Sequence, residues 1–84
     1  MMQEIIDQRN AIAQKLSREG YEVRQFTNSE MGLFIRAIGD ERGPYTLVVW
    51  ERHGWTIRCY GASDSINPAT MHRHCAAALE TRTT

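Results

Sequence analysis

The sequence predicts an α+β domain in the order α-β-β-β-β-α, a four-stranded antiparallel meander sheet with both helices packed on one face. Two observations carry this. Hydrophobic spacing is helical from Gln3 to Glu19, alternates with period two from Tyr21 to Tyr60, and turns helical again after Asn67-Pro68. The links between the strand-like runs are also too short for crossovers, so neighbouring strands run antiparallel.

In the first helix, Ile5, Ile6, Arg9, Ile12, Ala13 and Leu16 share a face. Glu4 and Asp7 stand near its start, Lys15 and Arg18 near its end, as the helix dipole favours, and Gly20 follows as a cap. Four runs rich in β-branched and aromatic residues come next: Tyr21–Phe26, Leu33–Ile38, Tyr45–Glu51 and Trp55–Tyr60. Turn chemistry separates them at Asn28-Ser29, at Gly39–Pro44 and at Arg52-His53-Gly54. After a polar crossing loop, Asn67 caps a second helix that opens on Pro68 and runs to about Glu80, with Met71, Cys75, Ala78 and Leu79 on one stripe. Residues 81–84 read as a frayed tail.

A chain of 84 residues has room for one core, so residues 1–84 read as a single domain. Ten basic and ten acidic residues cancel, which argues against a nonspecific polyanion binder. The longest apolar run, Cys75–Leu79, is too short to span a membrane. The start, Met1-Met2-Gln3-Glu4, lacks the basic and apolar regions of a signal peptide, and the expected location is cytoplasmic.

The third turn sets which side chains share a face of the sheet. A two-residue loop, His53-Gly54, would pair Arg52 with Trp55 and put His53 at positive φ. A three-residue loop would form a type I turn with Gly54 in the left-handed position. The second is preferred, because it gathers Leu47, Val49, Trp55, Ile57 and Cys59 into an apolar core face. Thr46, Val48, Trp50, Thr56, Arg58 and Tyr60 then point the other way. Alternation sends Tyr21, Val23, Leu33, Ile35 and Ala37 inward, and Arg24, Phe26, Phe34, Arg36 and Ile38 outward. The expected open face therefore carries Phe26, Phe34, Trp50 and Tyr60 interleaved with Arg24, Arg36 and Arg58. Aromatic residues and arginine are the residue types of interface hot spots.

Chemistry-bearing residues are few. His72 and His74 stand about 200° apart on a helix and cannot share a metal. His72, Cys75 and Cys59 lack the paired spacing of a zinc site and read as surface and core residues. Asp64 and Ser65 read as turn and capping residues rather than triad members. Gly39 and Gly43 precede no helix and make no phosphate loop. The expectation is a non-enzymatic domain without cofactor or metal.

The function that fits is a protein-binding module docking through the Arg/aromatic face, with Trp50, Tyr60 and Phe34 as anchors and Arg58 and Arg36 pairing with acids of a partner. Single-stranded nucleic-acid binding through the same face is the alternative, disfavoured by the zero net charge. A homodimer built on that face is the second alternative. In size, compactness and lack of catalytic residues the chain resembles small bacteriophage proteins that inhibit host machinery, anti-CRISPR proteins among them. That resemblance is one of general type and rests on no particular residue.

Overall fold

The computed structural model describes residues 2–26 and 29–82. Among them, helix α1 spans Met2–Arg18, strands β1 to β4 span Tyr21–Phe26, Ser29–Ala37, Tyr45–Glu51 and Gly54–Tyr60, and helix α2 spans Pro68–Arg82. The strands form one antiparallel sheet in the order β1-β2-β3-β4, with both helices on the same face, as the spacing predicts. No described helix is long and apolar enough to cross a membrane.

Local chemistry closes the helices where it was expected to. The Gly20 N–H donates to the Ser17 carbonyl at 3.1 Å, and Gly20 takes φ 95°, a left-handed cap that glycine adopts without Cβ strain. At α2, the Asn67 side chain accepts from the Thr70 N–H at 2.9 Å ahead of Pro68. The helix continues to Arg82, so Thr81 and Arg82 are helical rather than frayed, while Thr83 and Thr84 lie outside the described residues. Strand β2 begins at Ser29, well before the expected Leu33, and ends at Ala37 rather than Ile38. An irregularity between Gln25 and Phe26 pairs Phe26 with Ser29. Of the expected Asn28-Ser29 turn, Ser29 is therefore strand, and Asn28 lies outside the described residues.

The core lies between the helices and the inner sheet face. Ile12 and Leu16 of α1, Met71, Cys75 and Ala78 of α2, and Ile66 of the crossing loop meet Tyr21, Leu33, Ile35 and Val48. Trp55, Ile57, Cys59 and Val23 pack against this set, so the inward sides of β1, β2 and β4 are those the alternation predicts. Two hydrogen bonds tie down the second half of the crossing loop. The Tyr21 hydroxyl donates to the Ser65 carbonyl at 2.6 Å, and Ser63 Oγ accepts from the Ile66 N–H at 3.0 Å.

Strand β3 differs from the expectation. Glu51 pairs with Gly54, so the hairpin loop is Arg52-His53, and neither anticipated loop forms. Both residues sit in the left-handed region, at φ 53° and 66°, as a type I′ connection demands. This reverses the parity of β3: Thr46 and Val48 are buried on the helix side, half-buried Trp50 faces the same way, and Leu47 and Val49 turn outward. The reason is packing. The register sets Trp50 against Trp55, Val48 against Ile57 and Thr46 against Cys59. Thr46, fully buried, has its hydroxyl 3.4 Å from the Cys59 sulfur, so its polar atom is satisfied.

Two non-glycine residues in this region cost about 1–2 kcal/mol each. Replacing Arg52-His53 by Asn-Gly is expected to raise the unfolding free energy by about 1–2 kcal/mol with an unchanged denaturant slope. A loss of stability in a urea titration would contradict the two-residue turn.

Candidate functional site

With β3 turned over, the open face has a definite layout across the strands. One row reads Glu22, Arg36, Tyr45, Tyr60, and the next reads Arg24, Phe34, Leu47, Arg58. A third contains Gly32, Val49 and Thr56. A Cβ on Gly32 would overlap the Phe26 ring, so the ring lies against the bare glycine backbone and covers it.

Phe34, Tyr45 and Tyr60 form a stack that crosses three strands. Phe34 and Tyr45 stand 5.1 Å apart between ring centroids at 24°, and Tyr45 and Tyr60 stand 5.0 Å apart at 18°. Each such pair contributes about 0.5–1.5 kcal/mol beyond area burial. The Arg36 guanidinium carbon lies 5.9 Å from the Phe34 centroid, within cation–π range. Its Nε donates to Glu22 at 2.6 Å, and Arg24 approaches the same carboxylate at 3.4 Å. The hydrogen bond from Arg36, with the nearby positive charge, holds the Glu22 carboxyl below its ordinary value of 4.5. At the far edge, Arg58 donates to Glu51 at 3.0 Å.

Six of the seven residues expected on this face are there: Arg24, Phe26, Phe34, Arg36, Arg58 and Tyr60. Trp50 is not. It meets Trp55 edge to face on the helix side at 5.3 Å, and the Trp55 indole N–H donates to Gln8 of α1 at 2.9 Å. Trp50 also lines a small cavity of about 230 Å³ with Ile5, Gln8 and His53. In its place the face gains Tyr45, Leu47 and Val49. A signal for them was present in the chain: Trp50/Trp55 and Tyr45/Tyr60 are both symmetric about the Arg52-His53 link, so one register pairs both sets of aromatics.

Away from this face, Cys75 and His74 have packing roles. Burial, with Cys59 nearby, pushes the Cys75 thiol up to about 11, so it is protonated at neutral pH. His74 packs edge to face against Tyr21 at 5.7 Å. Among the described residues, no three His, Cys, Asp or Glu side chains come together in a way that could hold a metal ion. A groove of about 450 Å³ runs between α1 and β1, lined by Ala13, Gln14, Ser17, Arg18, Val23 and Gln25 among others. Comparison with protein-family models, curated proteins and solved structures found no match.

Because the Glu22 carboxyl is depressed, its ion pairs stabilise the fold above about pH 4.5, and that contribution is lost as pH falls through the folded value. Glu22→Gln is expected to flatten the fall of stability below that pH, measured by urea unfolding at stepped pH. An acid limb identical to wild type would contradict the Arg36–Glu22 assignment.

Proposed function

We propose that the chain is a non-enzymatic protein-binding module that docks through its open sheet face, of the general kind of small inhibitor or adaptor that works by occupying a partner's surface in the cytoplasm. The observation that carries the reading is the Phe34, Tyr45, Tyr60 stack beside Leu47 and Val49, on a side of the sheet that neither helix covers. Water-facing sides of antiparallel sheets are normally polar, and a contiguous apolar face rimmed by arginine is the composition of an interaction site. Because the rings already hold one another, less side-chain freedom is lost when a partner docks.

The same stacking bears on the nucleic-acid alternative. Stacking on a base needs a free ring face. Tyr45, between Phe34 and Tyr60, has both faces occupied by its neighbours. Apart from the outer side of Tyr60, which ends the stack, the row offers a ridge of ring edges, a better match to aliphatic and aromatic side chains than to bases. The zero net charge favours the protein reading as well.

Affinity capture from a lysate of the organism that carries the gene, with half of each sample nuclease-treated, tests the reading. Tyr45→Ala is expected to weaken a nuclease-resistant protein interaction by about 2 kcal/mol, roughly 30-fold in Kd, without unfolding the domain. Trp50→Ala is expected to lower stability and leave the affinity of the folded fraction within about twofold of wild type. Capture that disappears with nuclease, or that is lost with Trp50→Ala and kept with Tyr45→Ala, would overturn the proposal.

A further inference from the structure

Resting on that docking reading, the charges of the face specify what kind of surface can cover it. The central row runs Arg24, Phe34, Leu47, Arg58, with an arginine on each edge strand and an apolar pair between them. Three interstrand steps separate the arginines, so their backbones stand about 14 Å apart. Both side chains reach into solvent: Arg24 is 65% exposed and Arg58 58%. Each meets one carboxylate of the same face in an exposed pair. Glu22 is held first by Arg36 at 2.6 Å and meets Arg24 only at 3.4 Å, and Glu51 reaches Arg58 in an exposed pair. Such exposed pairs contribute little and yield readily to a partner. The described charges on the strands of this face are Arg24, Arg36 and Arg58 against Glu22 and Glu51, with Arg52 of the turn beside them.

A second copy of the chain is a poor occupant. In the aligned packing of two sheets with the twofold through the centre of this row, an axis along the strands sets Arg24 of one copy against Arg58 of the other, and an axis across them sets like arginine on like. Among the described side chains of the face, Glu22 and Glu51 of a copy can reach these arginines only by leaving their own, so pairs exchanged between copies add no ion pair to those already present. Arginines buried against arginines cost binding energy rather than supply it.

We infer that the face is built for a protein partner, distinct from this chain, whose surface carries two carboxylate groups about 14 Å apart flanking an apolar centre. The apolar centre seats on Phe34, Leu47 and Tyr45, and the carboxylates take Arg24 and Arg58 as charge-assisted, potentially bidentate pairs. Arginine at both ends aligns the partner's acidic pair across the strands, and partners with basic rims are disfavoured by the same two residues.

The test uses a photo-crosslinking amino acid in place of Leu47, in cells of the native organism, with mass-spectrometric identification of the joined peptide. The expected product joins residue 47 to an apolar segment of another protein that has acidic residues on both sides. With that partner purified, Arg24→Glu and Arg58→Glu are each expected to lower affinity tenfold or more. Reversing the matching acid to lysine in the partner is expected to restore at least half of the lost binding energy. A captured protein partner whose affinity changes less than twofold in both charge reversals overturns the acidic-pair inference and leaves the docking face standing. Crosslinking only to a second copy, to nucleic acid or to nothing overturns both.

Discussion

The register of the β3–β4 hairpin is the constraint on which the rest of this structure depends. A side chain on a strand has only two directions available, so a single choice at Arg52-His53 decides the content of the core and of the open face together. With Glu51 opposite Gly54, the core receives Val48 and Thr46, Trp50 turns to the helix side against Trp55, and the outside receives Tyr45, Leu47 and Val49. The chain holds two non-glycine residues at positive φ to secure this. That strain of a few kcal/mol is offset by two cross-strand aromatic pairs, a buried Val48–Ile57 contact and an indole hydrogen bond to α1.

What was legible beforehand, and what was not, follows from the same physics. Both helices and their caps could be read because a 3.6 period, Gly20, and Asn67-Pro68 each have one reading. The faces of β1 and β2 could be read because charged or polar residues alternate with apolar ones along Tyr21–Phe26 and around Arg36. Strand β3 carries no such contrast. Thr46, Leu47, Val48, Val49 and Trp50 give either parity an acceptable core, so burial alone leaves two solutions. The decision passes to the turn, where the preference against Arg and His at positive φ points the wrong way. Tertiary pairing overrides it, and the early start of β2 has a similar origin, since Gly32 is tolerated in a strand only because the Phe26 ring covers it.

The open face gains from this arrangement in a way that composition does not reveal. Trp50 contributes to the fold, while the outward row of three stacked rings presents a stiff ridge whose faces are largely spent on one another. Around it, Arg36 is committed to Glu22 and Phe34, and Arg24 and Arg58 stand exposed at the two edges, each beside a glutamate. An apolar centre with an exposed charged rim is the division of labour found in protein interfaces, where the core supplies affinity and the rim supplies selectivity.

The most direct test of this account is the cross-strand pairing of β3 and β4 measured by proton NMR on the isolated domain. The account predicts contacts of Val48 with Ile57, Leu47 with Arg58, and Trp50 with Trp55. Contacts of Val49 with Ile57 and Leu47 with Cys59 would place Trp50 on the open face, return Leu47 and Val49 to the core, and contradict it.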